Sequence, residues 1–180
     1  VVRHIVGQQI SSKAQATVWA RLEERLSVVT PASVHAASAE ELQSLGMSLR
    51  KAEYIKDFAS KIVSGEFALQ AVEQLSDEEA IAALSSLKGI GRWTAEMILL
   101  FCLQRPDILS YDDLAIQRGL RMLYHHRKIT RELFNKYKKR YSPYGSTAAI
   151  YLWAISGGAI EGMQDYAPAK KAVRKTKRSE

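Results

Sequence analysis

The 180-residue chain contains a single cysteine, Cys102. One thiol cannot build a disulfide framework, a zinc site or an iron–sulfur cluster within the chain. Cys102 lies in an apolar stretch and is expected to be a buried, unreactive core residue. A lone thiol also suits a reducing compartment, so a cytoplasmic location is the expectation. Long apolar runs are missing as well. None approaches the roughly 18–20 residues needed to span a bilayer, and no signal peptide is visible, which argues against a membrane partner. Strand signals are nearly absent, with no sustained period-two alternation bounded by turns. An opening methionine is lacking too. The chain begins Val-Val-Arg and reads as helix at once, so further residues are expected ahead of it.

Hydrophobic residues make up 47% of the chain, enough for a real core. The formal net charge is +7, unevenly spread. Residues 1–85 are net −3, residues 86–167 net +5 and residues 168–180 net +5. The basic character therefore sits in the second half and the tail. That distribution suits a polyanion, although a solvated tail would look the same.

Helical signals run throughout. Val2, Ile5, Val6 and Ile10 open one apolar face that continues through Ala14, Val18 and Leu22. Thr30-Pro31 is a cap followed by proline at the first helical position. Ser38 with Glu41, and Ser76 with Glu79, are capping boxes. Gly46 and Gly65 read as helix stops. Ser48 precedes a helix carrying Leu49, Ala52, Ile55, Ala59 and Ile62. Later helices are predicted over Trp93–Leu103, Leu114–Tyr124, Arg131–Tyr141 and Ser146–Ile155. Short connections imply an all-α protein, a compact orthogonal helical bundle over residues 1–167, as one domain or two small packed lobes. Residues 168–180 form a basic tail almost without aliphatics, expected to be disordered.

Two segments carry chemistry. The first is Leu87-Lys88-Gly89-Ile90-Gly91-Arg92-Trp93-Thr94-Ala95, two glycines around one apolar residue between helices. Glycine permits unusual dihedrals and close approach of another backbone, and Ile90 can plug the turn onto the core. The second helix then offers its N-terminal N–H groups to an anion. A plain helix–helix turn would share the tripeptide. The second segment is Ser110-Tyr111-Asp112-Asp113-Leu114-Ala115-Ile116-Gln117-Arg118, where two aspartates open a helix. One of them reads as a cap. An acidic doublet on a surface that meets a polyanion needs a further reason. Cleavage of an N-glycosidic bond gives one, because positive charge develops on the sugar and a fixed carboxylate stabilises it.

Together the hairpin, the following loop and the run Asp-Asp-Leu-Ala-Ile-Gln-Arg-Gly resemble the helix-hairpin-helix DNA glycosylase superfamily, and within it the 3-methyladenine DNA glycosylase II branch. The resemblance runs from Ile5-Val6-Gly7-Gln8-Gln9-Ile10-Ser11 to about Gly157 and is strongest over residues 84–120. It implies a monomer that flips damaged bases out of duplex DNA and excises them in base excision repair. It places the essential aspartate on Asp113, leaving Asp112 as a cap or supporting residue. It places phosphate contacts on the amides of Gly89, Gly91 and Thr94, with Lys88 and Arg92 as neighbouring basic contacts. No cofactor is required. A monovalent cation, Na+ or K+, is implied at the carbonyls of Ser85, Leu87 and Ile90, bridging them to a phosphate.

In the bifunctional branches a lysine stands two residues after the second hairpin glycine and attacks the sugar. Here that residue is Trp93, which cannot be a nucleophile, so hydrolysis by water is expected. An alkylated purine is electron-poor and favours aromatic faces. Trp93 and Trp153 are candidate walls of a base pocket, with core packing as the alternative for each. Met97 stands where some relatives carry another aromatic, and Tyr144 matches a site-lining Pro-Tyr segment. Flipping needs a plug for the vacated stack, for which Gln9 and Ile10 are candidates; otherwise Gln8 and Gln9 are surface polar residues. The histidines show no metal-ligand spacing. Two rival functions remain open on sequence: a non-catalytic DNA-binding module, and a glycosylase with lyase activity.

Overall fold

The computed structural model describes residues 1–168. The basic tail, apart from its first residue, lies outside the described residues. Ten α-helices and one 3-10 turn are present, and no strand occurs among the described residues. No helix there is long and apolar enough to cross a membrane. The chain divides into two units, Val1–Ile108 and Leu109–Glu180.

The first unit holds α1 (Val2–Gly7), α2 (Ser12–Leu26), α3 (Pro31–Ala36), α4 (Ala39–Ser44), α5 (Leu49–Val63), α6 (Asp77–Ser85) and α7 (Arg92–Phe101). The local capping chemistry read from the sequence sets most of these starts. Thr30, Ser38, Ser48 and Ser76 each accept a backbone N–H at the helix start, and Glu41 and Glu79 complete capping boxes. Gly46 and Gly65 follow their helices at φ +108° and +77°. Helix α5 buries Ala52, Ile55, Phe58 and Ala59 as one stripe and packs on α1, α3 and α4. Helix α7 is buried along residues 94–100, so it runs inside the unit rather than along its surface. Ile5, Leu22, Leu42, Ile55, Leu84 and Leu99 form the centre of the core.

Two expectations need correction here. The continuous apolar face from Val2 to Leu22 is broken into α1 and α2. Gln9 adopts a left-handed φ of +58°, and Ser11 restarts the helix by accepting the Ala14 N–H at 3.2 Å. Cys102 is exposed, not buried. Helix α7 ends at Phe101, itself exposed, and the chain leaves the core there.

The second unit holds α8 (Leu114–Tyr124), α9 (Arg131–Tyr141) and α10 (Gly145–Ser156) around Leu109, Ile116, Leu120, Met122, Ile129 and Phe134. Helix α8 lies tightly on α10. Close approach is possible at Gly119, where a Cβ would stand 2.4 Å from the Leu152 carbonyl oxygen. A backbone oxygen cannot yield as a side chain can. Gly119→Ala is therefore expected to lower stability by about 1–3 kcal/mol, read as a drop in melting temperature.

Candidate nucleic-acid interface and active-site carboxylate

In the first unit the link between α6 and α7 is a tight turn. Leu87 N–H donates to the Leu84 carbonyl at 3.1 Å, and Ile90 N–H to the Leu87 carbonyl at 3.1 Å. Leu87 and Ile90 are both buried and pin the turn to the core. Its two glycines have different reasons. Gly89 has φ +79°, and a Cβ there would stand 2.1 Å from the Tyr54 ring. Gly91 has an ordinary φ of −87° and open space where a Cβ would stand. Gly91 is also the N-cap of α7 and supplies no side-chain cap. The first-turn amides of α7 thus stand behind a residue with nothing to shield them from an anion.

The basic neighbours are engaged within the protein. Lys88 Nζ donates to Asp57 Oδ1 at 2.7 Å. Arg92 donates to both Glu78 carboxylate oxygens, at 3.0 and 2.7 Å, and to Glu96 at 3.1 Å. Its hydrogen bond to the Asp57 carboxylate raises the Lys88 ammonium above the ordinary lysine range. Thr94 is buried, and its Oγ1 receives the Gln8 amide at 3.4 Å.

The carbonyls of the turn offer neutral, hard oxygen donors. Leu87 O carries one main-chain bond, and among the described residues the Ser85 and Ile90 carbonyls take none outside the helices. A carbonyl oxygen has two lone pairs, so this donor set fits a monovalent cation. No group of acidic, histidine or cysteine side chains suited to a metal occurs among the described residues.

Gln9 and Ile10 stand exposed in the loop between α1 and α2, with Ile10 40% exposed. Gln8 belongs to neither alternative the sequence offered. Its Nε2 donates to the Gly89 carbonyl at 2.7 Å, tying this loop to the hairpin across 81 residues. Trp93 is 42% exposed at the start of α7, so it is not core filler. Met97, one turn on, is 3% exposed and packs as core.

In the second unit Asp113 is the N-cap of α8. Its Oδ1 accepts the Ala115 and Ile116 N–H groups, each at 2.9 Å, and the residue is 7% exposed. The capping role belongs to Asp113 itself, and Asp112 is not the cap. Asp112 is half exposed and lies 3.8 Å from Arg131, whose guanidinium stacks on Tyr111. Tyr144, at the start of α10, is exposed and borders a cleft of about 390 Å³ together with Leu123, Arg140, Tyr141, Tyr151 and Leu152. Trp153 is half-buried on α10 and does not line that cleft.

This arrangement can be set against known proteins. A model of the HhH-GPD superfamily of base excision DNA repair proteins matches residues 2–143. The chain belongs to this family. Among curated relatives, DNA-3-methyladenine glycosylase 1 of Schizosaccharomyces pombe is 35% identical over 161 residues, covering 87% of this chain and 71% of the relative. Among solved structures, a DNA-3-methyladenine glycosidase from Bacillus halodurans superposes with a TM-score of 0.81 at 34% identity, over 92% of this chain and 77% of that one. An S. pombe 3-methyladenine DNA glycosylase in complex with abasic DNA gives 0.75 at 32% identity, over 91% and 81%.

The two glycines provide a test. Gly91→Ala meets no neighbour and needs no unusual dihedral, so its melting temperature is expected to stay within a few degrees of the parent. A methyl group in front of α7 keeps a phosphate at a distance, so affinity for duplex DNA is expected to fall about tenfold or more. Gly89→Ala is expected to lose stability first, because it strains φ and strikes Tyr54. Thermal melts and fluorescence anisotropy with a labelled duplex separate the two effects.

Proposed function

We propose that this chain excises alkylated purines such as 3-methyladenine from duplex DNA by a monofunctional, water-based hydrolysis of the 3-methyladenine DNA glycosylase II type. The observation that carries the reading is Asp113, a nearly buried carboxylate fixed by two backbone amides at the start of α8. Breaking the N-glycosidic bond leaves positive charge on the sugar. A carboxylate whose orientation is already set stabilises that charge without reorganising. The helix N-terminus favours the negative charge.

What stands near the hairpin supports water as nucleophile. Trp93 occupies the position where a lyase carries its lysine. The hairpin's own amine, Lys88, is paired with Asp57 instead. Duplex DNA is held through the α7 amides behind Gly91. The cation inferred at the Ser85, Leu87 and Ile90 carbonyls would add one positive charge facing a phosphate there. The damaged base leaves the stack, with Gln9 and Ile10 placed to fill its space. The exposed Trp93 offers an aromatic face to an electron-poor base. The names of the relatives and the bound abasic DNA of one neighbour support the same substrate class.

Asp113→Asn separates folding from chemistry. Asparagine caps a helix about as well as aspartate, so α8 and the melting temperature are expected to be kept. Release of methylated bases is expected to fall by about 10²–10³ or more, with DNA binding unchanged or tighter. Unchanged release would sink the assignment. Borohydride added during turnover is expected to trap no protein–DNA adduct; a trapped adduct would refute water as the nucleophile.

A further inference from the structure

Helix α5 is absent from the sequence motifs, yet three of its side chains hold the residues proposed to meet DNA. Lys51, Tyr54 and Asp57 are spaced by three and lie along one strip of the helix. Tyr54 backs Gly89, and Asp57 pairs with Lys88, so two of them support the hairpin. Lys51 supports the other loop. Its Nζ donates to the Gln8 carbonyl at 2.6 Å and to the Val6 carbonyl at 2.9 Å. Those carbonyls are at the C-terminal end of α1, where a helix leaves acceptors without partners and welcomes a cation.

We propose that Lys51 is a positioning residue for base flipping: it locks the loop carrying Gln9 and Ile10 against the hairpin, through Gln8, so that gripping the backbone and plugging the stack occur as one motion. The inference rests on the excision reading above. A helix cap alone would not connect the loop after α1 to the hairpin. Here the second acceptor is Gln8, the residue whose side chain reaches the hairpin carbonyl of Gly89. The chain of contacts is thus continuous from α5 to the loop and from the loop to the hairpin. Packing does not replace it. A cleft of about 230 Å³ is bordered by Gln8, Gln9, Ile10, Met47 and Lys51, so the loop is not packed solidly on that side. Gln9 already stands at φ +58°, a conformation that a non-glycine residue keeps only when its surroundings impose it. The hairpin is held separately by Tyr54, Asp57 and its buried Ile90. Loss of Lys51 is therefore expected to disable the plug while sparing the grip.

The test compares the parent chain with Lys51→Met, Lys51→Arg and Gln8→Ala. Three quantities are read: affinity for undamaged duplex, single-turnover release of 3-methyladenine from methylated duplex DNA, and fluorescence of a 2-aminopurine placed opposite an abasic-site analogue, which rises when a side chain fills the gap. Lys51→Met and Gln8→Ala are expected to bind undamaged duplex within about twofold of the parent. Their single-turnover rate at saturation is expected to fall on the order of ten- to a hundredfold, with little change in half-saturating concentration, and the fluorescence rise is expected to be lost. Lys51→Arg, which keeps a donor cation, is expected to restore most of both. Parent-like rates and fluorescence in Lys51→Met would overturn the proposal. So would a loss of rate matched by an equal loss of duplex affinity or by unfolding in Lys51→Met that Lys51→Arg does not reverse. If the parent itself releases no base, the excision reading fails, while the fluorescence comparison still decides whether Lys51 sets the plug.

Discussion

Two backbone N–H groups meeting one oxygen of Asp113 start helix α8 and in the same act fix a negative charge. The fold needs only an acceptor at that position. The two amides and the helix N-terminus behind them also offset a full negative charge there, so the site can hold a carboxylate. The rest of α8 is organised behind it. Ile116 and Leu120 anchor the helix in its core, and Gly119 lets it close directly onto the backbone of α10. The carboxylate therefore stands at the end of an element that cannot shift easily, which is what stabilisation of a developing cation demands.

A fixed anion is a liability on a protein that meets a polyanion, so attraction must come from elsewhere. The obvious cations do not supply it alone, because Lys88 and Arg92 are engaged with Asp57, Glu78 and Glu96. In the proposed function, main-chain amides at the start of α7 do. They carry no side-chain entropy, are positioned by the turn, and would contact phosphates without reading sequence, as suits an enzyme whose lesion can lie anywhere. Helix α5 then enters the proposed function by holding those elements in place. Its outward strip supports the hairpin and the loop before α2, and its buried stripe of Ala52, Ile55, Phe58 and Ala59 holds that strip in place.

Much of this was legible in the sequence because it depends on local chemistry. The starts of α3, α4, α5 and α6 follow from caps three residues ahead of their partners, and α8 and α9 begin and end where their patterns predict. The hairpin was legible from its two glycines. The interruption at Gln9 was not, since apolar spacing continues through it and nothing at Gln9 itself announces a positive φ; only the Ser11-Ser12 pair hinted at a new start. Cys102 was misread because an apolar run does not reveal where a helix leaves the core. The role of Asp113 as its own cap was hidden by the adjacent Asp112, since either could fill the position. Gln8 and Lys51 were beyond reach for another reason. Their partners lie 81 and 43 residues away, and no periodicity encodes a bond across that distance.

The proposed function pairs a binding turn that carries no nucleophile with a carboxylate that can stabilise a cationic sugar. Chromatography of the products from methylated duplex DNA incubated with the intact chain addresses that pairing most directly. The expected result is free 3-methyladenine in solution, with DNA that stays unbroken until alkali cleaves the abasic sites left behind. Strand breaks without alkali, or the absence of any released base, would contradict it.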